Sequence, residues 1–191
     1  MLYQNDYYSP LGKITLVSNE KYLLGVYIEG QKYFLRQYEQ QKIIFSEEIQ
    51  ILKDAKKWLD SYFCYENPTI DSLNLFFEGT TFEVCIWKLL CEIPFGQTIT
   101  YGELAHKVAK NLNKNKMSAQ AVGQAVSHNP FSIIVPCHRV IGKNGNLTGY
   151  AGGIDKKIQL LTFEHVNLEK MYIKEKGKKK LWKEIVANGS I

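Results

Sequence analysis

The sequence lacks the features that mark secreted, zinc-binding and membrane-spanning proteins. Its four cysteines are irregularly spaced and include no Cys-x-x-Cys pair, which argues against a disulfide framework and against a zinc site. No apolar run is long enough to cross a membrane, and the first residues show no charged segment followed by an apolar one. We therefore expect a cytoplasmic protein with reduced thiols, no bound metal and no membrane partner.

Arginine is also scarce, and the basic charge is concentrated in the second half of the chain. Arg36 and Arg139 are the two arginines, so lysine carries nearly all of the positive charge. Residues 1–100 contain 9 basic and 13 acidic side chains, residues 101–164 contain 8 and 3, and residues 165–191 contain 7 and 3. This asymmetry is typical of a protein whose second half faces a polyanion. For the lysines at the end of the chain alone, a merely solvated cluster is the slightly preferred interpretation.

The N-terminal third has the pattern of antiparallel strands. Hydrophobic residues make up 45% of the chain, which is enough for a packed core. Segments 3–8, 13–18 and 22–28 alternate or are rich in β-forming residues, and turn residues separate them. A helix capped by Ser46 is predicted to follow, because apolar residues recur at helical spacing as far as Phe63.

Three helices are predicted between residues 80 and 127. Two of them begin with capping boxes, at Thr80 and at Thr100, each with a glutamate three residues later. Ser118 caps the third helix, which ends at about Ser127. The second and third helices are joined by a polar turn and resemble a helix-turn-helix.

The third helix is narrow because small residues recur along it. Such a helix can approach another surface closely, most often that of a second helix. The lysines around it, however, suit contact with phosphate groups. The small residues are Ala119, Ala121, Gly123 and Ala125, and the lysines are Lys107, Lys110, Lys114 and Lys116.

Residues 133–140, with the sequence Ile-Ile-Val-Pro-Cys-His-Arg-Val, indicate a reactive cysteine. The apolar run predicts a short buried strand that ends at Pro136. Thiolate is the reactive form of cysteine, and cationic or hydrogen-bonding neighbours lower the thiol pKa. His138 and Arg139 are such neighbours of Cys137. A buried structural cysteine is the alternative, and the tripeptide alone leaves the two interpretations about equal.

A glycine-rich loop and a carboxylate follow the cysteine. Residues 149–153, Gly-Tyr-Ala-Gly-Gly, form a loop whose N–H groups can approach a ligand closely. Asp155 is predicted to cap a last core helix. Glu164 shares the inward side of that helix, and a buried carboxylate requires a partner. His138 is the candidate partner, and a surface glutamate at the helix end is the alternative.

Together these motifs resemble the O6-alkylguanine-DNA alkyltransferase family, also called methylated-DNA–protein-cysteine methyltransferases. The strongest similarity is Pro-Cys-His-Arg-Val at 136–140, followed at the family's spacing by the loop at 149–153. The resemblance is specific over about residues 80–165 and general over the N-terminal third. Further matching segments are Phe82 with Trp87, residues 93–96 and 100–105, and residues 121–123 with Asn129 and Pro130.

The resemblance implies two domains and a basic tail. Residues 1–75 would form an α/β domain of ribonuclease-H-like form. Residues 76–167 would form a mainly helical DNA-binding domain that contains a helix-turn-helix and the active site. Residues 168–191 would be a basic C-terminal tail outside the resemblance.

The activity that the resemblance implies is direct DNA repair by a monomer without a cofactor. A methyl or other alkyl group would pass irreversibly from O6 of guanine in double-stranded DNA to Cys137. The guanine would first be flipped out of the duplex. Each protein molecule would react once, because the sequence offers no second nucleophile or metal to remove the alkyl group.

Individual roles are carried over from the family to matching positions. Cys137 would be the nucleophile, and His138 with Glu164 would form the water-linked relay that generates its thiolate. Asn129 would brace the segment between the recognition helix and the active site, and Tyr101 would contact the flipped guanine. The implied base pocket consists of Val140, Tyr150, Ala151 and Gly152, and the implied DNA contacts are Ala119, Gln120, Ala121, Gly123, Lys116 and Lys143.

Two positions depart from the family pattern, and two other functions stay open. Gln120 stands where many members have an arginine that fills the gap left by the extruded base. Ala151 stands where some members have a serine beside the substrate oxygen. A non-catalytic or weakly catalytic sensor of alkylated DNA is one alternative, which the presence of Cys137 argues against. A cysteine hydrolase is the other, and it would leave the helix-turn-helix unexplained.

Overall fold

The chain folds into an N-terminal sheet region and a C-terminal helical region. A computed structural model describes residues 1–175 and 177–182. Its main sheet has four strands in the order β3-β2-β1-β4. Strands β1, β2 and β3 pair antiparallel, and β4 lies at the edge, parallel to β1. The bounds are β1 Leu2–Ser9, β2 Gly12–Ser18, β3 Leu23–Ile28 and β4 Ile43–Phe45.

The three predicted strands are confirmed to within one residue at each end, and β4 is an addition to them. Helix α1 spans Gln50–Phe63 and packs its apolar face against the sheet. The predicted cap is wrong, because the helix begins after Ile49 and Ser46 stays outside it. Ser46 is instead held at β1, where its N–H donates to the Gln4 carbonyl at 3.0 Å and its carbonyl accepts from the Asn5 side chain at 2.9 Å.

The helical region begins with two capped helices, as predicted. The Thr80 hydroxyl accepts from the Glu83 N–H while the Glu83 carboxylate accepts from the Thr80 N–H, and Thr100 and Glu103 repeat this arrangement. The Ser118 cap is also confirmed. The helices are α2 Thr81–Cys91, α3 Tyr101–Asn111 and α4 Ala119–Ser127, with the short strand β5 at Ile99–Thr100.

Helix α5 spans Ile154–Phe163 and begins two residues earlier than predicted. Asp155 is not its cap, since Gly153 occupies that position with a φ of 91°, where an L side chain would be strained. Asp155 lies instead in the first turn, where its negative charge interacts favourably with the positive end of the helix dipole.

The segment before Cys137 is buried but is not a strand. Ile133 has a φ of 71°, and Cys137–Arg139 forms a single 3-10 turn that leads into β6, Val140–Ile141, beside β5. The predicted strand is therefore wrong. The segment does not form a strand because the side-chain amide of Asn129 forms hydrogen bonds with the backbone of Phe131 and Val135. These backbone groups therefore do not need a paired strand as partner.

Part of the predicted basic tail is an antiparallel hairpin of β7, Tyr172–Glu175, and β8, Lys178–Leu181. It packs beside the turn at residues 142–147, because the Leu147 N–H donates to the Tyr172 carbonyl at 2.7 Å. The remainder of the predicted tail, residues 176 and 183–191, lies outside the described residues.

The largest apolar cluster joins the two regions. It contains Leu52 and Leu59 from α1, Ile86 and Leu90 from α2, and the buried Val135 next to the cysteine turn. The turn that carries Cys137 is therefore fixed by packing from both regions. Within residues 1–175 and 177–182, no helix is long and apolar enough to span a bilayer.

Candidate active site

Cys137 is almost completely buried, with 5% of its surface exposed. Its sulfur lies 3.1 Å from the side-chain nitrogen of Asn129, which follows α4 directly. The same amide group donates to the Val135 carbonyl at 2.8 Å. One asparagine thus connects the end of α4, the buried turn and the thiol.

The thiol is not a preformed anion in this structure. Burial raises the pKa of Cys137, while the Asn129 hydrogen bond and the charge of Lys157 act in the opposite direction. The protonated thiol is therefore the resting form at neutral pH. A reaction that requires thiolate needs a base close to the sulfur.

His138 has the properties of such a base. Its ring is fully buried, and Nε2 lies 2.8 Å from Oε1 of Glu164. Burial lowers the pKa of His138, with Glu164 opposing that effect, so the imidazole is neutral at rest. Because the carboxylate accepts from Nε2–H, the lone pair resides on Nδ1, which is buried and has no hydrogen-bond partner among the described residues.

Glu164 is the electrostatic centre of the site. It accepts five hydrogen bonds, and its side chain is completely buried. Burial alone would raise the pKa of Glu164, but His138 and Arg139 outweigh it and hold the pKa well below its usual range. At Oε1 the donors are Tyr62 Oη, His138 Nε2 and Arg139 Nη2, each at 2.8 Å, and at Oε2 they are Arg139 Nε at 2.8 Å and the Gly96 N–H at 3.2 Å.

The role predicted for Arg139 is wrong. Its guanidinium forms a two-pronged pair with Glu164, donates to the Ile93 carbonyl at 2.6 Å and lies over the Phe95 ring. Arginine suits this position because its planar fork matches a carboxylate. Arg139 therefore neutralises the carboxylate behind His138 and makes no direct contact with the sulfur of Cys137.

Gly96 allows the chain to pass close to this carboxylate residue. Its φ is 74°, and a Cβ added to it would lie 2.9 Å from the backbone oxygen of Glu164. Both the left-handed backbone and the close approach favour glycine here. The Gly96 N–H is thereby placed to donate to the buried carboxylate.

Lys157 is a buried residue of the candidate site that the sequence interpretation missed. It lies on α5 and is fully buried, and its Nζ donates to the carbonyls of Val140 at 2.5 Å and Thr148 at 2.8 Å. Burial lowers its pKa to about 7, with Cys137 acting in the opposite direction. The signal was present, since Lys157 precedes the core residues Leu160 and Leu161 by three and four positions and so shares their side of the predicted helix, and a buried lysine requires acceptors.

Tyr101 and the glycine-rich loop form the wall on the other side of Lys157. The Tyr101 hydroxyl donates to the Gly149 carbonyl at 2.9 Å, and the Lys157 ammonium lies 6.0 Å from the Tyr101 ring centroid. Tyr150 is buried, with its ring edge-on to His138. Lys157 and Tyr101 thus connect the segment of Val140 to the loop that follows Thr148, and these two segments contain the predicted base-pocket residues Val140, Tyr150, Ala151 and Gly152. The Ala151 carbonyl also accepts from the Lys32 N–H at 2.9 Å.

The predicted DNA contacts lie on α4 and on two flanking segments. Ala119 and Gln120 are exposed at the start of α4, whereas Ala121 and Gly123 are half-buried. Gly123 faces the Tyr101 ring, which would lie 3.5 Å from an added Cβ. Lys116, before α4, and Lys143, in the turn after β6, are both exposed.

Both regions of the chain match known proteins. Residues 81–166 match the DNA-binding domain of 6-O-methylguanine DNA methyltransferases, and residues 2–77 match the ribonuclease-like domain of the same proteins. Over 168 residues the chain is 40% identical to a methylated-DNA–protein-cysteine methyltransferase of Methanosarcina barkeri, which covers 87% of this chain and 99% of that protein. A Haemophilus influenzae protein of the same name is 34% identical, covering 86% and 87%.

Solved structures lead to the same assignment. The crystal structure of Mycobacterium tuberculosis OGT in complex with DNA is 36% identical, has a TM-score of 0.71, and covers 85% of this chain and 91% of that chain. The O6-methylguanine-DNA methyltransferase of Pyrococcus kodakaraensis is 26% identical with a TM-score of 0.60, covering 87% and 100%. With matched domains along both regions and relatives of this identity, the chain belongs to the methylated-DNA–protein-cysteine methyltransferase family.

Proposed function

We propose that this protein repairs DNA by transferring an alkyl group from O6 of guanine to the sulfur of Cys137. The observation that carries the proposal is a buried thiol beside a buried imidazole that is bonded to a buried carboxylate, in Cys137, His138 and Glu164. The relatives are named for this reaction. A sensor that does not react with its target is not favoured, since it would need neither the thiol nor the relay.

The first chemical step is removal of the thiol proton. The proton passes from Cys137 through a bridging water to Nδ1 of His138, and Glu164 stabilises the imidazolium that forms. Arg139 and Tyr62 keep Glu164 ionised and oriented during this step. The resulting thiolate is stabilised by the Asn129 amide and by Lys157.

The second step is an in-line displacement at the alkyl carbon. A sulfur–carbon bond forms, the carbon–O6 bond breaks, and its electron pair moves onto the guanine ring. Hydrogen-bond donors around the base reduce the cost of this negative charge. The Tyr101 hydroxyl becomes one of them when the entering base displaces the loop and breaks its bond to the Gly149 carbonyl. The product is a thioether on Cys137, so each molecule reacts once and needs no cofactor.

DNA is held by the helical region in this proposal. Helices α3 and α4 act as a helix-turn-helix, with α4 in the minor groove, where Ala119, Ala121 and Gly123 permit close approach. Lys116 and Lys143 contact phosphates. Gln120 faces the cytosine left behind and can hydrogen-bond it without adding charge. Flipping the guanine costs a few kcal/mol, less for a damaged pair.

The proposed division of labour follows the two matched regions. Residues 1–75 form the ribonuclease-H-like domain and residues 76–167 the DNA-binding and active-site domain. Cys137 is 5% exposed, so the flipped base enters by displacing part of the loop of Tyr150, Ala151 and Gly152. The protein acts as a cytoplasmic monomer on duplex DNA that contains O6-alkylguanine.

Intact-mass measurement tests the proposed function directly. After incubation with a duplex that contains O6-methylguanine, the protein should gain the mass of one methylene unit and then stop. Cys137→Ala should gain nothing. Cys91→Ala is the matched control, because Cys91 is a half-buried thiol whose pKa is raised to about 11 by burial, and this variant should react like the wild type. Repeated turnover on excess DNA, or an unchanged mass in the wild type, would contradict the proposal.

A further inference from the structure

The hairpin β7–β8 lies beyond the region that matches the family. The matched region ends at residue 166, and the hairpin follows at residues 172–181. It is anchored to the helical region, since Ile173 packs against a buried apolar cluster and Tyr172 bonds to Leu147. The cluster consists of Ile141, Leu147, Ile158, Leu161, Leu168 and Met171. The hairpin therefore has a fixed position beside the turn that carries Lys143.

Beyond the buried Tyr172, one face of the hairpin carries two exposed lysines, Lys174 and Lys179. Side chains alternate between the two faces of a strand, so Lys174 and Lys179 lie opposite to the anchored Ile173. Lys174 and Lys179 are direct cross-strand partners. Like charges in that arrangement destabilise an antiparallel pair, and an anion between them would relieve the repulsion.

Within residues 172–175 and 178–181, the other charges do not neutralise this pair. Glu175 lies on the opposite face, where it binds Lys180 at 3.3 Å and is the cross-strand partner of Lys178. Lys179 stacks on Tyr172 with its Nζ 4.4 Å from the ring centroid. That contact orients the ammonium without removing its charge.

The position of the hairpin identifies the anion. The segment 142–149 lies between the hairpin and Tyr101, because Leu147 bonds to Tyr172 at one end and Gly149 bonds to Tyr101 at the other. We infer that the face formed by Lys174 and Lys179 binds backbone phosphates of duplex DNA beside the lesion. This inference rests on the proposed function, in which Tyr101 contacts the flipped guanine.

Salt dependence of DNA binding tests the inference. Affinity for a methylated duplex is measured by fluorescence anisotropy over a range of salt concentrations, using the Cys137→Ala background so that no transfer occurs. The slope of log affinity against log salt is negative, and each lost phosphate contact reduces its magnitude by about 0.9. Lys174→Gln with Lys179→Gln should therefore reduce the magnitude by about 1.8, and the double arginine variant should retain the wild-type slope.

A matched pair of lysines separates contact from general charge. Lys42 and Lys57 are exposed in the N-terminal region, and Lys42→Gln with Lys57→Gln removes the same net charge. The slope of that variant should stay at the wild-type value. An equal decrease in both variants, or no decrease in the hairpin variant, would overturn the inference. If the wild type gains a methyl in the mass experiment while the hairpin variant keeps its slope, only the hairpin assignment fails and the proposed function stands.

Discussion

Replacing Glu164 by glutamine tests whether one carboxylate holds the site together. The substitution keeps the size of the side chain but removes its charge, and it turns one acceptor oxygen into a donor NH₂ group that faces donors. His138, Tyr62 and Arg139 all donate to this carboxylate. Removing one partner of a buried ion pair costs about 3–5 kcal/mol, because the other charge is left uncompensated. For a chain of this length we expect the melting temperature to fall by about 6–20 °C.

Glu83→Gln is the matched control for this prediction. Glu83 also binds a histidine, with 3.0 Å between its Oε1 and Nδ1 of His128, but 20% of its side chain is exposed. Glutamine can still accept from the Thr80 N–H and so keeps the capping box, and the lost pairing with the partly exposed His128 should cost no more than about 1 kcal/mol. Urea denaturation of both variants at pH 7, without DNA, gives the comparison. Equal losses in the two variants would refute the view that Glu164 is the electrostatic centre.

Three further predictions concern pH and backbone shape. The pKa of Glu164 is held below its ordinary 4.5, so its stabilising effect is present above pH 4.5 and is lost as the pH falls further. The free energy of unfolding should therefore drop more between pH 5 and pH 3 in the wild type than in Glu164→Gln. Parallel curves for the two proteins would contradict this. The pKa of Lys157 is lowered from 10.5 to about 7, so the unfolded chain binds one more proton than the folded chain between these pH values, and stability should rise from pH 7 to pH 10. Lys157→Met should flatten that rise, as measured by urea denaturation at pH 7 and pH 9.5. An unchanged rise would mean that Lys157 is not buried in the folded protein. Gly96→Ala should lower the free energy of unfolding by about 1–3 kcal/mol, and by more than Gly30→Ala does. Both glycines have positive φ, but of the two only Gly96 has a backbone atom within 3 Å of the added Cβ. Equal melting temperatures of the two variants would show that the close approach has no cost.

The sequence predicts this fold well wherever local chemistry decides the structure. The capping boxes at Thr80 and Thr100 bind their own helix ends, so a three-residue spacing is sufficient to locate α2 and α3. Ser46 shows the limit of such reasoning. It has the composition of a cap, but pairing of its backbone with β1 places it outside the helix.

The active site is predictable only in part, for a related reason. The motif at 136–140 indicates which residues are chemical, and spacing suggests that Glu164 faces inward. The partner of Arg139 is not predictable from its neighbours in the chain, because Glu164 is 25 residues away and the contact depends on tertiary packing. The strand predicted before Pro136 does not form, because the side-chain amide of Asn129 makes hydrogen bonds with this segment that a neighbouring strand would otherwise make.

The hydrogen bond from Tyr62 to Glu164 has a consequence for how activity relates to folding. Tyr62 comes from the N-terminal helix, 102 positions earlier than the glutamate that it orients. The reactivity of the site therefore depends on the whole folded molecule. A substitution that separates the N-terminal region from the helical region should abolish alkyl transfer even when every reactive residue is unchanged. Covalent labelling of Cys137 would then report, molecule by molecule, how much of a population is correctly assembled.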